Sequence, residues 1–195
     1  MNNILNLFVL ALFLFTNSKK ISAQTAISNA SFEGEPADAT MPAGWYSESE
    51  GTTPDILPGF WGVYNEASEG DTYIGLITRS DGSFESIGQR LEKSLKKGNC
   101  YSFMIDLSYS DNYSGFNNPL YMKIWISDSK GKRQQLIFKS QKIDNLGWET
   151  HKVKFQPEND VNYIILEAFI NDNSSEYKGN ILMDNITFIS DCNRA

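Results

Sequence analysis

Seven polar and aromatic residues alternate with apolar rows in the middle and end of this chain: Tyr73, Arg79, Glu85, Gln89, Trp125, Tyr163 and Glu167. Aromatic rings offer flat apolar platforms. Arg, Glu and Gln offer planar hydrogen-bonding groups. Sugars carry C–H patches on their faces and hydroxyls at their edges, so this mixture suits a sugar. Glu85 and Gln89 are four apart and share a strand face if the strand is regular. Connecting segments add Phe60, Trp61, Tyr64, Tyr113 and Phe116, and exposed aromatics rimmed by polar groups mark binding surfaces. The expected ligand-binding set is Tyr73, Arg79, Glu85, Gln89, Trp125, Glu167, Trp61 and Tyr113. A plainer reading stands beside it. Arg79 and Glu85 can form a buried ion pair, which says little about function, and Trp45 and Trp148 suit a core.

Catalytic patterns are missing. Paired carboxylates for sugar hydrolysis need about 5 Å of separation. Glu48 and Glu50 have a suitable spacing, but they sit in a Gly/Thr/Pro-flanked segment that predicts solvated side chains. The single histidine, His151, falls in phase with Val153 and Phe155, the pattern of a satisfied core residue. There is no G-x-S-x-G elbow and no P-loop. The chain is expected to be no enzyme.

The elements that must position these residues are strands. Tyr101, Phe103, Ile105 and Leu107 alternate with polar positions. So do Met122, Ile124 and Ile126, then Val153 and Phe155, then Ile164, Leu166 and Ala168. Further strands are predicted near Ala26–Phe32, Thr72–Thr78 and Phe84–Leu91, with a last one from about Asn180 to Ile189. Turn residues fall between them, as at Asp81-Gly82 and Lys97-Gly98-Asn99. The pattern predicts an all-β antiparallel sandwich or barrel. Long connections at 35–64 and 111–119 are candidates for function.

An apolar run from Ile4 to Phe15, followed by Ser22-Ala23-Gln24, predicts a signal peptide over residues 1–24 and one domain over 25–195. The run is too short to span a bilayer. Cleavage removes Lys19 and Lys20, leaving 15 basic against 24 acidic residues, net −9. That charge excludes nucleic acid and anionic membranes as partners. The expected location is outside the cell or on its surface. There the two cysteines, Cys100 and Cys192, allow one disulfide. It forms if the strand Cys100 opens neighbours the strand Cys192 closes; two separate buried thiols are the alternative. No Cys/His cluster suggests zinc.

Two short motifs carry a family resemblance. Asn29-Ala30-Ser31-Phe32-Glu33 with Gly44-Trp45 opens the domain, and Asp184-Asn185-Ile186 lies in the last strand. Together they resemble the calcium-containing carbohydrate-binding jelly-roll modules of the galactose-binding-like superfamily, over roughly residues 27–192. Gly44-Trp45-Tyr46, Thr53-Pro54-Asp55, the Glu85…Gln89 spacing, Cys100-Tyr101 and Gly179-Asn180 are similar to modules exported by Bacteroidetes-like bacteria. The resemblance implies a structural Ca2+ where the first and last strands meet, with Glu33 and Asp184 at the matching positions. Two carboxylates brought together need a cation or a proton. The implied function is non-catalytic binding of a poly- or oligosaccharide, on a sheet face or a loop rim. A cell-surface adhesive or structural role through protein contacts is the alternative, and a jelly-roll hydrolase or lyase ranks below both.

Overall fold

A computed structural model describes residues 24–170 and 177–192. The expected signal peptide therefore lies outside the described residues, apart from Gln24. The strands are Tyr46–Ser47 (β1), Asp55–Leu57 (β2), Tyr73–Thr78 (β3), Ser86–Leu95 (β4), Tyr101–Ser108 (β5) and Asn118–Pro119 (β6). They continue with Tyr121–Ser127 (β7), Gln135–Lys139 (β8), Glu149–Phe155 (β9), Val161–Phe169 (β10), Gly179–Asp184 (β11) and Ser190–Asp191 (β12). One sheet has five strands in the order β1-β4-β10-β7-β8. The other has seven, with β12-β5-β11-β3-β2 as its path, β9 on β5 and β6 on β11. Every pairing is antiparallel except the short β6–β11 contact. The protein is an all-β jelly-roll sandwich, as its alternating rows require.

Those rows meet between the sheets. Ile74 and Leu76 of β3 and Phe103, Ile105 and Leu107 of β5 pack against Ile87, Met122, Ile124, Ile126, Ile164 and Leu166 of the five-stranded sheet. A second, smaller core lies on the other side of the seven-stranded sheet. There Tyr73, Ile77 and Leu182, with Leu57 beside Tyr73 on β2, are covered by Val63 and Tyr113 from the two long connections. Those connections therefore bury one outer face and leave the other open to a different use.

The opening motif does not extend as a strand. Thr25 makes one bridge to Ile189, and Asn29 and Phe32 take φ values of 48° and 53°. The Asn29 side chain forces the turn. Its oxygen accepts from the Glu33 N–H at 2.7 Å, and its amide donates to the carbonyls of Glu33 and Ala43. The Trp45 indole donates to the Asn29 carbonyl at 3.1 Å, and Phe32 lies 5.1 Å from the Trp45 ring. The N-x-S-F-E…G-W pattern is thus one folded unit with Trp45 buried in the core. The last strand also stops earlier than its sequence predicts, because Asn185 turns left-handed at φ 50°.

The chain ends are tied as the cysteine positions predict. β12 pairs antiparallel with the start of β5, and Cys100 and Cys192 form a disulfide across 92 residues. In the chain-entropy account, a loop of that size lowers the entropy of the unfolded chain by the equivalent of about 4.6 kcal/mol. A Cys100→Ser/Cys192→Ser chain should lose about that much unfolding free energy in urea titrations. A loss under about 1 kcal/mol would mean that β5–β12 pairing fixes the end unaided.

Candidate functional site

The outer face of the five-stranded sheet follows from its register. Tyr46 pairs with Gly88, Gly88 with Ile165, Ile165 with Trp125, and Trp125 with Leu136. One row thus crosses all five strands, roughly 19 Å at about 4.8 Å per strand. Ser86, Glu167 and Lys123 form the next row, and Arg90, Tyr163 and Ser127 flank it. The neighbouring positions Ile87, Ile164 and Ile124 point the other way, into the core.

Glu48, just past β1, folds back over this row. A Cβ on Gly88 would meet Glu48 Cγ at 2.6 Å and the Tyr46 ring at 2.9 Å, so only glycine leaves room for the two side chains to lie on the sheet. The β7–β8 connection closes over them. Lys130 Nζ stands 4.1 Å above the Tyr46 ring, and the Gly131 N–H donates to Glu48 Oε1 at 3.3 Å. Arg133 donates through Nε to Glu167 and through Nη2 to Ser86 at 2.9 Å. Lys123 lies 3.6 Å from the same carboxylate and 5.9 Å from the Trp125 ring centre.

Polar atoms on this face are left short of well-placed partners. Among the described residues, buried side-chain N or O atoms with no well-formed hydrogen bond are Tyr46 Oη, Glu48 Oε2, Trp125 Nε1 and His151 Nε2. The first three belong to this one face. Such a group costs about 1–3 kcal/mol when desolvated, and native chains keep few of them. Burial, then the charge of Glu48 and a side-chain hydrogen bond to that carboxylate, raise the Tyr46 hydroxyl far above its ordinary value and keep it a donor toward Glu48. Two donors and one acceptor are therefore gathered beside an indole ring.

A second group forms on the far side of the molecule. Asp38, Thr53, Asp55, Trp61, Arg79 and Tyr113 line a pocket of about 210 Å³ between the long connections and the end of β3. Its polar groups are tightly paired. Glu85 accepts from Arg79 Nη2 at 2.6 Å, from the Thr53 N–H at 3.0 Å and from the Ile77 N–H at 3.1 Å. The Tyr113 hydroxyl donates to Asp55 over the bare backbone of Gly75, where a Cβ would lie 2.6 Å from it. Burial raises the Asp55 carboxyl to about 6 against the bonds from Tyr113 and Ala39, with Asp38 adding to the rise.

Glu33 and Asp184 come together where the opening turn meets the end of β11. The 68–72 segment bridges them. Ser68 and Glu69 donate backbone N–H groups to Asp184 Oδ2 at 2.8 and 2.9 Å, and Asp71 N–H reaches both Glu33 oxygens at 3.2 Å. Burial lifts the Asp184 carboxyl to about 6, three backbone N–H groups oppose the rise, and the Glu33 charge adds to it. The pair suits a hard cation with oxygen ligands. Among the described residues no three His, Cys, Asp or Glu side chains converge, so carbonyls and water would complete the shell.

The predicted ligand residues thus fall in three places. Trp125 and Glu167 share the five-stranded face with Tyr163. Arg79, Trp61 and Tyr113 share the loop pocket, with Glu85 paired behind Arg79. Tyr73 and Gln89 lie on neither surface. Tyr73 does not stand on an exposed sheet face: it is fully buried, packed edge-on to Trp148 at 5.2 Å, with its hydroxyl on the Asn65 carbonyl. Gln89 does share a face with Glu85, but it is the face of Ile87, and its amide bonds Ser28 and Gly44. Glu48 is not the free loop carboxylate that its setting predicts. Its position two residues after Tyr46, on an alternating segment, was the available signal. His151 lies in register with Ile105, yet its Nε2 is not satisfied.

No protein-family model and no curated protein sequence matches the chain. Solved structures do match its fold. The CBM22-1 xylan-binding domain from Paenibacillus barcinonensis is 15% identical with TM-score 0.53, over 85% of this chain and 94% of that one. The CBM22-1–GH10 modules of a Clostridium thermocellum endo-1,4-beta-D-xylanase, complexed with xylohexaose, are 14% identical with TM-score 0.53, over 89% of this chain and 29% of that one. The K2 cleaved adhesin domain of Lys-gingipain is 13% identical with TM-score 0.52, over 86% of this chain and 97% of that one.

The Asp55 shift has a testable sign. Its folded pKa lies above the unfolded 3.8, so the folded state holds a proton that the unfolded chain has released. The stability contribution is whole below about 3.8 and fades as pH rises through about 6. Against an Asp55→Asn variant, the native chain should lose unfolding free energy between those pH values and run parallel above them. A constant difference in urea titrations across that range would refute the assignment.

Proposed function

We propose that the protein is an exported, non-catalytic carbohydrate-binding module whose ligand lies along the outer face of the five-stranded sheet. The observation that carries this reading is the set of under-satisfied atoms there: Trp125 Nε1, which has no partner, and Tyr46 Oη and Glu48 Oε2, which interact with each other but fall outside good hydrogen-bond geometry. Sugar hydroxyls donate and accept at once, so they can satisfy all three while a sugar ring lies against the indole. The row of about 19 Å across the sheet suits several sugar units rather than one. Carbohydrate-binding domains among the proteins of like fold are consistent with the reading, although a fold alone does not fix a ligand. The Cys100–Cys192 bridge supports export, and among the described residues no helix is long and apolar enough to cross a membrane.

The ligand and the β7–β8 connection compete for the same atoms. Lys130 and Gly131 sit on Tyr46 and Glu48, so binding displaces them. On a glycan array, Trp125→Ala should lower affinity about tenfold or more through lost stacking and a lost donor. Tyr46→Phe should lower it less, because it removes one hydroxyl donor and keeps the ring. Silence of the folded native chain across the array would remove the sugar reading and favour protein contacts. The exposed Met104 and Phe188 are then the first surface to test.

The same proposal includes a structural Ca2+ held by Glu33 and Asp184. Binding of an ion to the folded state alone, at about 100 times its Kd, adds about 2.7 kcal/mol. EDTA should then lower the melting temperature by about 5–10 °C, and Asp184→Asn should abolish that difference. Equal melting temperatures with and without chelator would sink the ion.

A further inference from the structure

The pocket over the seven-stranded sheet lies on the opposite outer face from the proposed glycan row and is built differently. Trp61, at its rim, is 46% exposed. Its backbone lies at φ 55°, a region that a bulky residue occupies only when its surroundings enforce it. The enforcement is visible. Gly59 and Gly62 take φ values of 111° and 87° on either side. A Cβ on Gly62 would meet the Asn112 carbonyl at 2.7 Å, so this turn is pressed against the other long connection. The Trp61 indole donates to Asp38 Oδ1 at 3.0 Å, which fixes the ring plane. An exposed ring already held still loses little freedom on binding.

The charges narrow the ligand. Arg79 is committed to Glu85 at 2.6 Å, so the formal charge left at the pocket is the negative one of Asp38 and, above its raised pKa, Asp55. Negative acceptors beside an electron-rich ring face favour the C–H patches and hydroxyls of a neutral sugar and repel carboxylates. A volume of about 210 Å³ has room for one sugar ring, not a run of them. We infer that this pocket is a second ligand site, which takes a single neutral pyranose unit against Trp61 with a hydroxyl on Asp38, and rejects acidic sugars. The sheet row would hold the body of a chain, and the pocket an end or a free monosaccharide.

Indole N–H signals in 1H–15N spectra test the two sites separately, because the chain has 4 Trp. The Trp61 signal is the one lost in Trp61→Phe, and the Trp125 signal is the one lost in Trp125→Phe. The full chain is titrated with glucose, galactose, mannose, xylose, arabinose, fucose and glucuronate, each to about 0.1 M, a range that captures millimolar affinity. At least one neutral sugar should move the Trp61 signal saturably, and glucuronate should not. Asp38→Ala, at an exposed position, should weaken the response about tenfold or more. A Trp61 signal that stays still with every neutral sugar overturns the site. So does one that moves equally with glucuronate, or one unchanged by Asp38→Ala. The Trp125 signal reports on the sheet row in the same spectra, so failure of one site is not failure of the other.

Discussion

The carboxamide of Gln89 is a small group on which much else hangs. It is buried, and it accepts from the Ser28 N–H at 2.6 Å and donates to the carbonyls of Ser28 and Gly44 at 2.7 and 3.1 Å. A side chain pointing into the core thereby holds both ends of the opening turn against β4. Held there, the chain runs from Trp45 in the core directly into β1 at the sheet edge. Tyr46 and Glu48 then have no choice but to lie over Gly88. Replacing this amide with an apolar group would remove three part-buried hydrogen bonds to the backbone of Ser28 and Gly44, each worth about 0.5–1.5 kcal/mol. The candidate sugar row is therefore built on a bond that lies on the opposite side of the same strand.

A sandwich buries one face of each sheet and leaves two others to be managed. The protein treats them unequally. On the seven-stranded sheet the long connections supply Val63 and Tyr113, and the Tyr113 hydroxyl is paired with Asp55. On the five-stranded sheet a short connection supplies Lys130, Gly131 and Arg133, which cover aromatics and carboxylates with cations and a glycine. The first cover is a core in miniature. The second is polar, and polar contacts are the ones a ligand with hydroxyls can replace.

Strand rows were legible in the sequence because alternation with apolar residues leaves one solution: Phe103, Ile105 and Leu107 inward, and Ile164, Leu166 and Ala168 facing them. The disulfide was legible because Cys100 and Cys192 bracket two strand ends. Trp125 and Glu167 were legible as outward positions by the same parity. Parity failed at Tyr73. Alternation tells which residues share a face but not whether a distant loop covers it, and Val63 and Tyr113 do cover it. It failed at Asn29–Phe32 as well, where a side chain bonding its own backbone overrides an apolar pattern. Glu48 was missed because local composition, Gly, Thr and Pro nearby, speaks for solvent. Only the absence of a side chain on Gly88, in a strand far along the chain, lets it lie down on the sheet.

Buried polar groups in this fold divide by whether they are finished. Asp106 accepts from Ser68, Thr150 and Asn185, and those bonds outweigh its burial and hold its pKa low. Glu85 has four donors. These groups stiffen the fold and have no capacity left for a ligand. Tyr46, Glu48 and Trp125 are only partly buried as residues, yet each carries a buried polar atom short of a well-placed partner. A chain able to complete four bonds on Glu85 is not short of donors in general. Unfinished groups on one face, beside an indole and beneath a polar connection, are the ground on which a ligand is proposed there. The same distinction weakens the argument from burial alone: the Arg79–Glu85 pair shapes the loop pocket without being its ligand, and what binds there must do so through the exposed side of Trp61 and Asp38.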